Sequence, residues 1–423
     1  MRFCLLTLGS RGDTQPYAAL GLALMAQGHA VTLCAPENFA GLAKGLGLDF
    51  APVPWDTRAA LHDSALRARL LAGDVLGFFR RAQAQAWDRR GDVWQAWLDA
   101  AQACDVLVPG TTTEDAAVLI AQALGKRVVF SELAPFSPSS GYAAIGISRR
   151  SLGPLNRASH WLSRQAWWGL NRPLVAALAE RLELPKPKGS PSLAALRGGA
   201  KVLHGYSAAL QPAPRDWDAA QHAVTGSWRL EPGAASALSG DHQDAGFSAW
   251  LEDGPPPLYL GFGSMPAMAG PDLLELAGDV AELLETRVVL GAGWTEVDSP
   301  DCDLPEGVAI VGDCDHRWLF ARCSAVVQHG GAGTTHAALE AGLPQVVCPF
   351  FADQPYWAER VRRSGAGLVL PFKRLDPQAL AEVVSEALQG PCQDAATALA
   401  EQAVAEGGAA AAAERLQAWC SPA

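Results

Sequence analysis

The stretch His329-Gly330-Gly331-Ala332-Gly333-Thr334-Thr335 lies between an apolar, strand-like run at 325–328 and a helix-like run that Gly342 closes. Glycines before a helix let the backbone approach a ligand closely, and the first helical turn offers free N–H groups and the positive end of a dipole. Such a turn binds phosphate. The residues predicted to form this phosphate cradle are His329, Gly331, Gly333, Thr334 and Thr335. The alternative interpretation is a glycine-rich turn in an ordinary strand–helix unit.

The cradle matches neither of two common phosphate-binding loops. No lysine follows its last glycine, as a Walker loop requires, and its glycines lack the Gly-x-Gly-x-x-Gly spacing of a dinucleotide site. Downstream, Asp353 and Gln354 follow another apolar run, which predicts them at the carboxyl end of a strand. There their polar atoms can bind several hydroxyl groups of a sugar. The alternative is a helix start, with Asp353 as the N-cap and Pro355 in the first turn.

The composition is that of a globular protein. The 423 residues include 33 Lys and Arg against 44 Asp and Glu, and the net charge of −11 disfavours nucleic acid as a partner. None of the nine cysteines forms a Cys-x-x-Cys pair, so buried free thiols are expected rather than disulfides or a zinc site. The chain shows neither a signal peptide nor an apolar run of about 18 residues, and a soluble, cytoplasmic protein is expected.

Strand-like and helix-like segments alternate along two parts of the chain, which indicates parallel sheets covered by helices. In the first part, strands are predicted at 3–8, 30–34, 105–108 and 127–131, and helices at 15–27 and 114–124. In the second part, strands are predicted at 258–262, 287–290, 308–311, 325–328 and 345–348, with a helix at 273–284. The predicted fold class is α/β, with two doubly wound, Rossmann-like domains.

Several of these motifs resemble those of a known family. The cradle followed by Asp353-Gln354-Pro355 is similar to the donor-binding signature of nucleotide-sugar-dependent glycosyltransferases with the two-domain GT-B fold. The stretches at 315–320 and 349–351 resemble the sterol 3-beta-glucosyltransferases. Gly9-Ser10-Arg11-Gly12-Asp13-Thr14-Gln15-Pro16 resembles the same enzymes and the glycosyltransferases of glycopeptide-antibiotic synthesis. The resemblance implies that the two domains face each other across a cleft.

The resemblance also implies the division of the chain. The expected segments are an N-terminal acceptor-binding domain at 1–225, a linker at 226–246, a donor-binding domain at 247–405, and a C-terminal helix at 406–423 that returns to the first domain. The linker is rich in Gly, Ala, Ser and Pro. Closure of the two domains would complete the site.

The resemblance implies particular roles for individual residues. Asp13 would be the base that removes the acceptor proton, since it follows the first strand at the carboxyl edge of the sheet. The alternative is that Asp13 caps the following helix. Ser10 and Arg11 would face the donor phosphates across the cleft, and Ser264 would occupy a similar turn in the second domain. His329 and the cradle would bind a donor phosphate, while the Asp-Gln pair would hold sugar hydroxyls.

No cofactor and no metal are expected, because the nucleotide sugar is a co-substrate and the helix end can neutralise the leaving diphosphate. The triplets Asp301-Cys302-Asp303 and Asp313-Cys314-Asp315 resemble the metal-holding triplet of a different glycosyltransferase fold, but short acidic turns are the preferred interpretation. Ala337 stands where plant relatives have a ribose-binding Glu. The sterol enzymes also lack that Glu, so UDP and dTDP both stay open.

A hydrophobic acceptor is expected in the first domain, between helical regions at 55–100 and 147–184 that hold many of the 14 tryptophans. The alternative is that these tryptophans pack the core. The segment 148–172 combines five arginines with Trp161, Trp167 and Trp168. It is interpreted either as a peripheral contact with a membrane surface or as a solvated helix face with buried aromatics.

These features predict an inverting glycosyltransferase. It would move a hexose or deoxyhexose from a nucleotide diphosphate sugar to a hydroxyl of a sterol-like, lipid or polycyclic acceptor. Two other functions would use the same architecture. One is a catalytically silent, glycosyltransferase-like partner protein, and the other is a nucleotide-sugar epimerase or hydrolase, which needs no hydrophobic acceptor pocket.

Overall fold

The computed structural model describes residues 1–61, 63–71, 74–231, 234, 245–263, 270–294 and 304–421. The first part of the chain contains the strands β1 (Arg2–Leu6), β2 (Ala30–Pro36), β3 (Asp49–Val53), β4 (Val106–Pro109), β5 (Arg127–Val128), β6 (Phe130–Glu132), β7 (Val202–His204) and β8 (His222–Val224). The second part contains β9 (Leu258–Gly261), β10 (Val288–Gly291), β11 (Val308–Val311), β12 (Ala325–Gln328), β13 (Gln345–Val347) and β14 (Gly367–Val369).

Helices separate most of these strands. The helices of the first part are α1 (Arg11–Ala26), α2 (Ala40–Gly45), α3 (Thr57–Leu61), α4 (Ser64–Leu71), α5 (Val75–Gln102), α6 (Glu114–Leu124), α7 (Asn156–Arg181) and α8 (Pro191–Arg197). Those of the second part are α9 (Ala245–Glu252), α10 (Gly270–Leu283), α11 (His316–Phe320), α12 (Ala332–Glu340), α13 (Gln354–Ser364), α14 (Pro377–Ala387), α15 (Gly390–Val404) and α16 (Gly408–Cys420).

The first domain is built on a five-stranded parallel sheet in the order β3-β2-β1-β4-β5. Leu5 of β1 lies opposite Leu33 of β2 on one side and Val108 of β4 on the other. Helices cover both faces of such a sheet, which explains why its inner strands are apolar runs without polar alternation. The strands β6, β7 and β8 form a separate three-stranded parallel sheet.

The second domain contains a six-stranded parallel sheet in the order β11-β10-β9-β12-β13-β14. In both large sheets the chain winds outward in one direction and then in the other, so the order reverses between β1 and β4 and between β9 and β12. Ligands bind outside the carboxyl ends of the strands at such switch points. Asp13 follows β1 and the 329–335 cradle follows β12, so both motifs lie at a switch point. The predicted fold class of two doubly wound α/β domains is confirmed.

The first helix begins earlier than the sequence predicts. Strand β1 ends at Leu6 rather than Leu8, and α1 begins at Arg11 rather than Gln15. The reason is a capping box, in which the Asp13 carboxylate accepts a hydrogen bond from the N–H of the N-cap residue, Ser10. Asp13 therefore lies in the first turn of α1, not on a turn before the helix. A capping role is thus part of what this side chain does.

The last helix of the chain packs in the first domain. Leu416, Ala412 and Ala413 of α16 belong to the same buried cluster as Leu20 and Leu24 of α1. Within the predicted linker, residues 226–231 and 234 are described, and the last two linker positions begin α9 instead. Arg229, within the predicted linker, forms an ion pair with Glu340 at the end of α12.

Three of the seven tryptophans in the two helical regions are buried core residues, and two others, Trp87 and Trp161, are exposed. Trp94, Trp97 and Trp168 are buried in one cluster beneath the first sheet, as the core interpretation expects. Trp161 is the more exposed of the latter two, because 59% of it is exposed.

The eight described cysteines are free thiols, and Cys302 lies outside the described residues. Among the residues with described positions, no helix combines the length and apolarity needed to cross a bilayer.

A buried aromatic cluster joins the two domains. Tyr142 and Tyr206 of the first domain pack with Tyr356 and Trp357 of α13 in the second. The Tyr356 hydroxyl donates a hydrogen bond to the Gln211 side-chain oxygen. The carboxyl edges of the two sheets are thereby held on either side of one cleft.

We expect Leu416→Ala to destabilise the first domain, because it removes a fully buried side chain from the contact between α16 and α1. A loss of about 2–5 kcal/mol in the free energy of unfolding is typical of such a cavity. Urea unfolding followed by circular dichroism measures the change. Gln417→Ala, at an exposed position of the same helix, is the control. Equal stability of both variants would show that α16 is not part of the first domain's core.

Candidate active site

Asp13 occupies the cleft at the start of α1. Its carboxylate accepts hydrogen bonds from the backbone N–H of Ser10 at 2.7 Å and from the Ser10 hydroxyl at 3.0 Å. Solvent still reaches the side chain, but the surrounding protein desolvates the carboxylate. This desolvation raises the pKa of Asp13, and the two hydrogen bonds from Ser10 oppose the shift. A carboxylate with a raised pKa is a stronger base than an ordinary surface aspartate.

The N-terminus of α12 is free of any side-chain cap. Gly331 is its N-cap residue and makes no capping hydrogen bond, whereas Asp376 caps α14 by accepting from the Ala379 N–H at 2.9 Å. The first N–H groups of α12, at 332–334, therefore keep their capacity to donate to a ligand. Together with the positive end of the helix dipole, they form the phosphate-binding arrangement that the sequence predicts.

Two glycines are required by the geometry of this turn. Gly330 has a φ of +94°, and a Cβ there would lie 2.9 Å from the backbone oxygen of Gln354. A Cβ at Gly331 would lie 2.5 Å from His329 Nε2. Side chains at these positions would displace either the histidine or the start of α13. By contrast, Gly333 is exposed and faces open space.

His329 lies buried beneath the turn. Burial lowers the pKa of His329 to about 4, so the imidazole is neutral at neutral pH. Its Nδ1 is buried and has no hydrogen-bond partner among the described residues. The residue therefore offers a hydrogen bond rather than a positive charge, although the sequence allowed either. A buried polar atom left without a partner at a predicted binding site fits a ligand that supplies one.

The two threonines of the cradle differ in their surroundings. Thr335 is fully buried, and its hydroxyl accepts a hydrogen bond from the Gln328 side chain at 3.0 Å. This hydrogen bond connects the start of α12 to Gln328, the last residue of β12. Thr334 is half-buried at the start of α12. Of the two predicted hydroxyl donors, Thr334 is the one placed to reach a ligand.

The Asp-Gln pair begins α13. Asp353 is the N-cap residue, but its carboxylate accepts from the Trp357 indole at 3.0 Å and makes no capping bond. Burial and, to a smaller extent, the negative charge of Asp13 raise the pKa of Asp353 to about 6. The two carboxylates are therefore close enough across the cleft to interact. The Gln354 oxygen accepts from the backbone N–H groups of Phe350 and Phe351, each at 3.1 Å, which leaves the amide nitrogen to meet a hydroxyl.

Ser10 and Arg11 each have a side-chain partner in the structure, and their predicted role at the donor phosphates stays a prediction. The Ser10 hydroxyl donates to Asp13, and the Arg11 guanidinium forms an ion pair with Asp313 of the second domain. Arg11 also lines a cavity of about 400 Å³ between the domains, with Trp294 on the opposite wall. Ser264 lies outside the described residues.

The acidic triplets have separate positions. Asp313 pairs with Arg11, and Asp315 caps α11 by accepting from the Arg317 N–H at 2.9 Å. The triplet 301–303 lies outside the described residues. In the part of the chain that is described, no three His, Cys, Asp or Glu side chains gather in a way that could hold a metal ion.

Sequence reasoning missed an aromatic cluster at the cleft. Phe78 and Phe79 of α5 contact Phe351, with ring centroids 4.9 and 5.9 Å apart, and Trp167 of α7 meets Phe79 edge-on at 5.8 Å. The cluster joins residues from three distant segments. The sequence showed an aromatic stretch at 349–351, but spacing along the chain does not reveal which rings meet.

The fold and the cleft define a class of protein, the GT-B glycosyltransferases. Residues 3–132 match the family model described as "Glycosyltransferase family 28 N-terminal domain". Residues 282–419 match "Erythromycin biosynthesis protein CIII-like, C-terminal domain". The chain belongs to this glycosyltransferase family and is a glycosyltransferase of the natural-product or sterol type.

Named relatives span both branches. The chain is 33% identical to O-mycaminosyltylonolide 6-deoxyallosyltransferase of Streptomyces fradiae, covering 99% of this chain and 97% of the relative. Identity to vancomycin aglycone glucosyltransferase of Amycolatopsis orientalis is 33%, over 97% and 96% of the two chains. Identity to the sterol 3-beta-glucosyltransferase UGT80B1 of Arabidopsis thaliana is 28%, over 97% of this chain and 67% of the relative. The resemblance stated above is confirmed.

Solved structures share the whole architecture. The glycosyltransferase VinC, in complex with DTDP, has a TM-score of 0.65 at 19% identity, over 99% of each chain. The spinosyn rhamnosyltransferase SpnG, complexed with thymidine diphosphate, has a TM-score of 0.63 at 20% identity, over 99% of this chain and all of the other. At these identities the likeness supports the fold alone.

We expect Gly331→Ala to weaken binding of a nucleoside diphosphate at least about tenfold, because the new methyl group displaces His329 and crowds the free helix end. Isothermal titration calorimetry with dTDP and UDP measures the affinities. Gly169→Ala, at an open position of α7, is the matched control. Unchanged affinity in Gly331→Ala would show that the ligand does not approach this backbone.

We expect Asp13→Asn to lower the pKa of Asp353 below its value of about 6, because it removes a neighbouring negative charge that disfavours ionisation. Carbon-13 NMR of the labelled carboxyl groups follows the titration. Asp272→Asn, on the outer helix α10, is the control and should leave Asp353 unchanged. An identical titration curve in Asp13→Asn would mean that the two carboxylates do not face each other.

Proposed function

We propose that this glycosyltransferase inverts the anomeric centre while moving a hexose or deoxyhexose from a nucleotide diphosphate sugar to a hydroxyl of a hydrophobic acceptor. The observation that carries the proposal is the uncapped end of α12, which lies against the start of α13 at Gln354. A candidate phosphate site is then next to the candidate sugar-binding pair, and the charge of the candidate base Asp13 acts on Asp353 of that pair.

The proposed reaction is a single displacement. Asp13 accepts the proton of the acceptor hydroxyl, and the acceptor oxygen forms a bond to the anomeric carbon. The bond between that carbon and the diphosphate oxygen breaks at the same time, from the opposite side. The diphosphate oxygen keeps the electron pair of the broken bond. The N–H groups at the start of α12 and the helix dipole then stabilise the negative charge of the leaving diphosphate without a metal ion.

The remaining residues would hold the donor. The Asp353 carboxylate and the Gln354 amide would bind sugar hydroxyls, while His329 and Thr334 would donate hydrogen bonds to the diphosphate. The Trp357 indole orients Asp353 for this task. Binding the sugar at these groups would align the anomeric carbon with Asp13.

The donor is proposed to be a dTDP sugar, with UDP sugars as the alternative. Two solved structures of the same fold hold DTDP or thymidine diphosphate, and one relative is named as a deoxyallosyltransferase. The acceptor would lie against the aromatic cluster formed by Phe78, Phe79, Phe351 and Trp167. Such a surface suits a macrocycle, sterol or other polycycle better than a sugar or a peptide.

The deciding experiment is mass-spectrometric turnover of dTDP-glucose, dTDP-rhamnose and UDP-glucose with a mixed panel of macrocycles, sterols, flavonoids and hydroxy-lipids. We expect an adduct of one sugar mass that forms with EDTA present. Asp13→Asn should lower kcat about 100- to 10,000-fold while donor binding is kept, because the amide cannot accept the proton. Its oxygen can still accept from Ser10, so the helix cap survives.

The matched control is Asp376→Asn, which changes another helix cap far from the cleft and should leave kcat unaltered. Equal activity of wild type and Asp13→Asn would remove Asp13 as the base. Donor binding without turnover on the panel would favour the silent partner protein. An isomerised or hydrolysed donor without an adduct would favour the epimerase or hydrolase.

A further inference from the structure

Exposed apolar side chains are concentrated in one part of the first domain. Among the described residues, twelve large apolar side chains are exposed, and five of them lie between 147 and 162. These five form what we call the 147–162 patch: Ile147, Leu152, Leu155, Trp161 and Leu162. Leu155 is 63% exposed and Trp161 59% exposed. An exposed apolar surface of this kind marks a contact with a partner or a membrane.

Two of the five patch residues lie on α7, whose inner side buries His160 and Trp168. Leu162 is on the outer side of this helix, in line with the exposed positions 165 and 166. Trp161 is seven residues before Trp168 and shares its side of the helix, yet it lies two turns nearer the exposed N-terminal end of α7 and is 59% exposed. The preceding turn, with Leu152 and Leu155, is exposed beside them. The two segments adjoin in the chain, and each presents exposed apolar side chains.

The charge around the patch is opposite to that of the whole protein. The chain carries a net charge of −11, yet no Asp or Glu occurs between Glu132 and Glu180. The same segment contains the five arginines 149, 150, 157, 164 and 172. A basic, acid-free segment in an acidic chain attracts an anionic surface.

Three of these arginines present their charge next to the patch. The Arg149 side chain is exposed. Arg150 is 75% exposed and lies 3.9 Å from Glu359, a carboxylate that Arg362 already binds at 2.9 Å. Arg157 is paired with Asp216 at 2.9 Å but stays 69% exposed, so its outer N–H groups can still bind a phosphate oxygen.

We propose that the 147–162 patch docks the enzyme on an anionic lipid surface. Leucine and tryptophan side chains would enter the boundary between headgroups and acyl chains, while the arginines would bind lipid phosphates. A second copy of the chain fits less well, because the like charges of two basic patches would repel. The inference does not depend on which donor, acceptor or base the enzyme uses.

Docking through the 147–162 patch would also bring the aromatic cluster of the cleft close to the lipid surface. Trp167, on the inner flank of the same helix, contacts Phe79 in the aromatic cluster, and Phe79 in turn contacts Phe351 of the second domain. The membrane-facing surface and the apolar wall of the cleft are therefore two sides of α7. An acceptor dissolved in the lipid phase would have a short path to the site.

The test is vesicle flotation of the full chain, with phosphatidylcholine vesicles and with phosphatidylcholine–phosphatidylglycerol vesicles. We expect binding to the anionic vesicles only. Trp161→Ser combined with Leu162→Ser should weaken the partition coefficient at least about tenfold, and Arg149→Gln about fivefold. Val404→Ser and Lys373→Gln, exposed apolar and basic positions of the second domain, are the controls and should bind as wild type does.

Two results would overturn the proposal. One is the absence of patch-specific binding, seen either as failure of the wild type to float with anionic vesicles or as control variants that lower the partition coefficient as much as the patch variants do. The other is a dimer in sedimentation velocity that the Trp161–Leu162 double variant converts to a monomer, since the patch would then contact a second copy. Arg149→Gln keeps the test valid if the double variant fails to fold, because it changes only an exposed charge. Catalytic turnover in detergent-free buffer should be unaltered by Arg149→Gln.

Discussion

The burial of Trp357 at the boundary of the two domains is the contact on which the site depends. Its ring is fully buried, 5.8 Å from Tyr206 of the first domain and 4.7 Å from His336 of the cradle helix. Its indole N–H also holds the Asp353 carboxylate. One side chain thereby links the orientation of the domains, the position of α12 and the direction of the predicted sugar-binding group.

Around this contact, desolvation sets the charges of the cleft. Desolvation by the surrounding protein raises the pKa values of Asp13 and Asp353 and lowers that of His329, so each group is shifted toward its neutral form. The basic side chain of Arg11, two residues before Asp13, is paired with Asp313. The main positive element left for a diphosphate is then the free end of α12. The same low-polarity surroundings strengthen the hydrogen bonds of that helix end.

The two domains contribute different surfaces to the cleft. Helices α5 and α7 of the first domain have one apolar side toward the core and another toward the cleft, while α7 also has an exposed apolar face. The second domain contributes the cradle and the Asp-Gln pair, together with Phe351, which completes the aromatic wall. A bound acceptor would therefore contact both domains, which is the condition for closure to depend on substrate.

The fold class could be predicted from the sequence and is confirmed, and the same local patterns predict a phosphate site at 329–335. Apolar runs bounded by turns predict parallel strands, and three glycines before a helix predict an open helix end. The same reading missed the true start of α1, since the bond between Asp13 and Ser10 depends on capping geometry. Other features appear only once the chain is folded: the charge of Asp13 acts on Asp353, Trp168 is core while Trp161 is exposed, and Phe79 contacts Phe351. The physical reason is that desolvation and ring packing arise between segments far apart in the chain, and no spacing along the sequence encodes them.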